Sequence, residues 1–109
     1  MDTKQLRKWA EKYDVEKQTI EGFWYYISSF EKEERESFFD GSIDKNPLNF
    51  TLDSIGFFIG AWGKDSYIQY GFDYITSYLT VIHKEDNLGT YKMSFTLDGE
   101  ILDDSFSPF

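Results

Sequence analysis

Hydrophobic positions in the first third of the chain recur every three to four residues, and beyond residue 50 every two. Leu6, Trp9, Ala10 and Tyr13 fall at i, i+3, i+4 and i+7, the spacing of one helix face, with Asp2 or Thr3 as cap. Ile20, Phe23, Trp24 and Ile27 repeat that template behind Asp14 as a second cap, although Gly22 interrupts it at a cost of about 1 kcal/mol relative to alanine. Ser28 and Glu31 have capping-box spacing for a third, short helix through EKEERESFF, stopped by Asp40-Gly41. The polar stretch DGSIDKNPLN, with Pro47 as its breaker, predicts the change from helix to sheet.

Tyr91, Met93, Phe95 and Leu97 alternate with Thr90, Lys92, Ser94 and Thr96, the pattern of a half-buried strand. Thr76 to His83 is rich in β-branched and aromatic residues and predicts the strand before it, with KEDNLG (Lys84 to Gly89) as an exposed loop between the two. Ser66 to Tyr74 predicts a further strand with Gly71 as a bulge. Ser54 to Trp62 fits either a helix behind a Thr51 cap or a buried strand, and its phenylalanines and two glycines favour strand. The expected fold class is α+β: N-terminal helices packed on one face of a C-terminal four- to five-stranded antiparallel β-meander. Neither half is large enough to hold its own core, so residues 1–109 form a single domain, helical to about 45 and sheet from about 50.

The chain's last strands carry LDGEILDDSF, four carboxylates within seven residues. Asp98-Gly99 between alternating runs predicts a two-residue type I′ hairpin, in which 97 faces 100, 95 faces 102, 93 faces 104 and 91 faces 106. That register puts Asp103 opposite Ser94 and diagonal to Lys92. It leaves Glu100 and Asp104 on the other face, roughly 13 Å apart at strand rise. The acids therefore do not converge, and they lack the ligand spacing of a calcium loop. Asp104 is the exception, an acid on the expected core face that either overhangs into water or is partly buried.

Composition narrows the chemistry further. There is no cysteine and one histidine, which removes disulfides, thiolate catalysis and multi-histidine metal sites. Twenty acidic residues oppose eleven basic ones for a net charge of −9, and residues 50–109 hold nine acids against three lysines. A phosphate backbone is repelled by such a surface, so direct nucleic-acid binding is disfavoured, whereas a basic protein is attracted. No apolar run is long enough to span a bilayer, and the charged N-terminus is unlike a signal peptide, so a cytoplasmic location without membrane contact is expected. No phosphate-binding loop, dinucleotide fingerprint or nucleophile elbow occurs, and no catalytic residue, metal or cofactor is assigned.

Aromatic content completes the picture: eleven Phe, eight Tyr and three Trp. Tyr70, Phe72, Tyr74 and Tyr78 share strand parity, and exposed tyrosines among carboxylates suit a protein–protein interface. In size, charge, tyrosine content and acidic hairpin the chain is similar in kind to the small acidic immunity proteins that neutralise bacterial toxins. That resemblance implies a binding protein that occupies a basic surface of a toxin or nuclease. The partner-binding residues expected are Asp98, Glu100, Asp103 and Asp104 of the hairpin, Glu85 and Asp86 of the loop, and Tyr70 and Tyr74. Two other readings share these features: a phage-encoded inhibitor mimicking nucleic-acid charge, and a small enzyme or ligand-binding domain using Asp104 or His83 in an aromatic-lined pocket.

Overall fold

A computed structural model describes residues 1–29, 48–60 and 70–109. In chain order these form α1 (Thr3–Lys12), α2 (Val15–Ser28), β1 (Leu48–Phe58), β2 (Tyr74–His83), β3 (Asp86–Phe95) and β4 (Ile101–Pro108). The strands make one antiparallel sheet in the order β1-β2-β3-β4, with both helices contributing to the core on one of its faces. The α+β class expected from the change of period is the fold observed. Among the described residues no helix is long and apolar enough to cross a membrane.

Asp2 caps α1 reciprocally with Gln5: its carboxylate accepts the Gln5 N–H at 2.7 Å, and the Gln5 side chain accepts the Asp2 N–H at 3.0 Å. Asp14 precedes α2 as expected, but its side chain caps nothing. It lies in the left-handed region (φ 54°, ψ 48°) because the chain reverses between helices across only Tyr13 and Asp14. The Gln18 side chain donates to the Tyr13 carbonyl left open there. The third helix expected from Glu31 onward lies outside the described residues, and the Ser28 hydroxyl turns back to the Tyr25 carbonyl.

The buried line of α2 is Val15, Thr19, Phe23 and Ile27, one position round from the expected stripe, so that Trp24 sits at the margin. Phe23 packs edge-on against Phe50 of β1 (5.4 Å between centroids) and Tyr91 of β3 (5.7 Å), and touches Phe106 of β4 (6.1 Å). Burying such a ring contributes about 1.5–3 kcal/mol before these contacts are counted. Gly22 explains itself here. A Cβ at that position would stand 2.0 Å from Met93 Cε and 2.9 Å from the Tyr91 hydroxyl, so glycine sets how closely α2 approaches β3. The polar Thr19 is accommodated because its hydroxyl donates to the Val15 carbonyl (2.6 Å) and meets Ser77 Oγ of β2 at 2.8 Å.

The strand reading of Ser54 onward holds to Phe58, where β1 ends; Trp62 lies outside the described residues. The strand expected over Ser66 to Tyr74 does not form among its described members, since Tyr70 to Asp73 are outside the ladder and β2 starts at Tyr74. In its place the chain turns, and the Asp73 carboxylate accepts the Gly60 N–H at 3.3 Å.

Both hairpins depart from expectation, in opposite directions. KEDNLG is not a loop: His83 pairs with Asp86, and Lys84-Glu85 form the two-residue turn with φ of 49° and 72°, the positive values a type I′ turn demands. At Asp98-Gly99 the loop is instead three residues long. The Gly99 N–H bonds the Thr96 carbonyl (3.0 Å), the Thr96 N–H bonds the Glu100 carbonyl (2.8 Å), and Gly99 alone has positive φ, 85°. Phe95 therefore pairs with Ile101 rather than Leu102, and a bulge at Leu102 restores the expected pairs Ser94–Asp103, Met93–Asp104 and Tyr91–Phe106. The cause lies in α1. Trp9 Nε1 donates to the Leu97 carbonyl at 2.8 Å, and the Tyr13 ring occupies the space beside Gly99 where a Cβ would be.

Lysine and glutamate at the two left-handed positions of the β2–β3 turn carry a conformational cost that Asn-Gly avoids. The double substitution K84N/E85G is expected to stabilise the fold by about 1 kcal/mol, raising the melting temperature by roughly 4–8 °C. An unchanged or lower midpoint in thermal unfolding contradicts the turn assignment.

Candidate functional site

With the helices on one face, parity assigns the other face of the sheet to Phe58 of β1, Tyr74, Thr76, Tyr78 and Thr80 of β2, Lys92 and Ser94 of β3, and Asp103 and Ser105 of β4. At one end of this face lies a hollow of about 130 Å³. Its walls are aromatic. Phe58 stacks on Tyr74 (5.2 Å, 13° between planes), and the Tyr70 ring stands across Tyr74 at 5.0 Å and 70°. Its floor is Thr76 and Ser94, 3% and 9% exposed, with their hydroxyls 2.8 Å apart. Its rim is Tyr78, Lys92, Asp103 and Ser105.

Asp103 is exposed but held. One carboxylate oxygen accepts the Asp104 backbone N–H at 2.8 Å, and the Tyr70 phenol lies beside the same carboxylate. Burial first, and then the Asp103 charge and the neighbouring Tyr74, push the Tyr70 phenol above its ordinary value. Lys92 lies diagonal to Asp103 as the register expected, yet the two do not form an ion pair. Among the described residues the single ion pair is Lys17–Glu21 on α2, at 4.0 Å.

Asp104 answers the question its position raised. It is half-buried on the helix side of β4, and its carboxylate accepts the hydroxyl of the buried Tyr91 at 2.6 Å. Burial, and then the bond to Asp104 and its charge, drive the Tyr91 phenol well above the usual tyrosine range.

The remaining expected residues divide by location. Tyr70, Tyr74, Asp103 and Asp104 border the hollow. Exposed Asp98 lies within the three-residue loop and exposed Glu100 follows it, at the same end of the sheet. Glu85 and Asp86 sit at the opposite end, in the type I′ turn and the first position of β3, about 26 Å from Ser94 at strand rise. The two acidic segments are thus separate surfaces. His83 ends β2 half-buried, with Nε2 buried and unpartnered among the described residues. No three His, Asp or Glu side chains group to hold a metal among the described residues. A larger open groove, about 490 Å³, runs between α1 and β1, where apolar Leu6, Ala10, Leu52 and Ile55 meet Glu11 and Asp14.

Phe58, Thr76 and Ser94 were not singled out by their sequence. The signal for them was present in the parity shared by Tyr74, Thr76 and Tyr78, but it needs the β1–β2 pairing to become a site. No family model matches the chain, and no curated protein or solved structure matches it.

Two readouts test the Tyr91–Asp104 bond. Tyr91→Phe leaves the carboxylate without its donor and is expected to cost about 1.5–3 kcal/mol in denaturant unfolding, as for a hydrogen bond to a charged group. Because the folded Tyr91 holds its proton more tightly than the unfolded one, its contribution is complete below pH of about 10 and is lost as pH rises through the raised folded value. Alkaline destabilisation should accordingly be shallower in Tyr91→Phe than in the parent; equal slopes refute the assignment.

Proposed function

We propose that this chain is a small acidic binding protein of the immunity type, an inhibitor that occupies a basic surface of a bacterial toxin or nuclease. What most supports this reading is the state of its carboxylates. Asp98, Glu100 and Asp103 are exposed at one end of the sheet, and none has a cationic partner among the described residues. Leaving several like charges close together and uncompensated destabilises a fold slightly, and an opposite surface removes that repulsion on binding. The aromatic hollow lies beside these acids, so charge for steering and ring area for burial come together at one end.

The division of labour follows from the packing. Asp98, Glu100 and Asp103 steer, Tyr70 and Tyr74 are buried in the complex, and Asp104 holds Tyr91 in place beneath them. Glu85 and Asp86 contribute to the long-range field from the far end of the sheet. Only a partner spanning about 26 Å touches both ends at once.

The test uses a tagged chain in its native host. A basic protein should co-purify at low salt, and its affinity for the chain should fall steeply with ionic strength. Charge reversal at two exposed sites, E100K and D103K together, should slow association at least about tenfold while the chain still folds. Recovery of no basic protein across a salt series, or association unaffected by the reversal, overturns the reading.

A further inference from the structure

We propose that the hollow on the sheet face opposite α1 and α2 is a receptor for a single arginine side chain presented by the partner. This deepens the reading above and rests on it for the partner's basic character. The chemistry of the hollow comes from four features that converge there.

The first is size. At about 130 Å³ the hollow has room for a planar guanidinium group. The second is the aromatic wall. Tyr70 and Tyr74 stand nearly perpendicular, so a planar cation entering the corner meets the face of one ring and the edge of the other. A guanidinium stacks on such a face and is weakly hydrated, whereas an ammonium gives up a tighter water shell to enter.

The third is the carboxylate. Asp103 accepts the Asp104 N–H on one oxygen and lies beside the Tyr70 phenol, which orients it but occupies only part of its acceptor capacity. The remaining lone pairs match the forked donors of arginine, so the geometry of the pair is set before binding. The fourth is the floor. Of the hydroxyls of Thr76 and Ser94, one donates to the other at 2.8 Å, and oxygen lone pairs remain to accept a further N–H from above.

Lys92 is the competing cation on the rim. It is exposed, forms no ion pair among the described residues, and lies one diagonal step from Asp103, about 7–8 Å between backbone positions. Its charge weakens the hollow's field without filling it. Removing it should therefore strengthen binding of a cation, a consequence that no purely structural role for Lys92 produces.

The experiment titrates the full chain with N-acetyl-arginine amide and follows the ring resonances of Tyr70 and Tyr74 by NMR. N-acetyl-citrulline amide serves as the neutral isostere and N-acetyl-lysine amide as the alternative cation. The arginine amide is expected to shift both rings saturably with a dissociation constant on the order of 1 mM, a weak site before partner contacts are added. Citrulline and the Asp103→Asn variant should each weaken the response about tenfold, and Lys92→Met should tighten it about threefold. Asp103 and Lys92 are exposed, so both variants are expected to unfold at the parent's temperature.

Equal binding of citrulline, an unchanged response in Asp103→Asn, or no saturable shift overturns the proposal; equal binding of the lysine amide overturns its assignment to arginine. The two levels fail separately. Arginine binding without any basic protein from the host keeps the receptor and removes the inhibitor reading. A basic partner held with undiminished affinity by Asp103→Asn removes the receptor and keeps the reading.

Discussion

The close seating of α2 on the sheet is the constraint from which the rest follows. Gly22 and Phe23 face Tyr91 and Met93 so closely that a Cβ at position 22 would push on the ends of both side chains. At that distance Phe23 can touch β1, β3 and β4 at once, so one ring links three strands. The Tyr91 ring beneath α2 is sealed from water, and its hydroxyl donates to Asp104 of β4. Asp104, half-buried on that face, accepts the Tyr91 hydroxyl, and a hydrogen bond to a charged acceptor offsets part of the cost of desolvating the acid.

That arrangement divides the carboxylates by task. Asp104 belongs to the core, while Asp103, its neighbour in sequence, alternates to the opposite face and meets Tyr70 and the hollow. With α1 and α2 on one face, the other face carries small hydroxyl residues and tyrosines, so the hollow there is polar at its floor and aromatic at its walls. The loop joining β3 to β4 is less free than its acidity suggests. Trp9 and Tyr13 bind its backbone to α1, which gives Asp98 and Glu100 a rigid mounting instead of a mobile tip.

Much of this was legible along the chain, because side-chain period reports secondary structure directly. Leu6, Trp9 and Tyr13 announced α1, and the alternation from Thr90 to Leu97 announced β3. The pairs Ser94–Asp103 and Tyr91–Phe106 also followed from sequence, although for a reason only half right. The expected turn was one residue too short, and the bulge at Leu102 compensated for it. The hollow was legible in part: Tyr70, Tyr74 and Asp103 stood out by type, but nothing local joined Phe58 to them.

By itself the sequence determined the fold class, the strongly acidic charge and the faces of β3 and β4 from Thr90 to Ser94 and from Asp103 to Phe106, since these depend on period and composition. Tertiary structure decided the turns, the line of contact on α2 and the assembly of the hollow. Lys84-Glu85 accept left-handed backbone because the strands on either side pair and twist, a demand that overrides their own preference. Asp98-Gly99 give up the tight turn their sequence favours because α1 holds the loop in another shape. Local preferences of about 1 kcal/mol yield where packing across the chain contributes more, and those are the places where reading along the chain stops short.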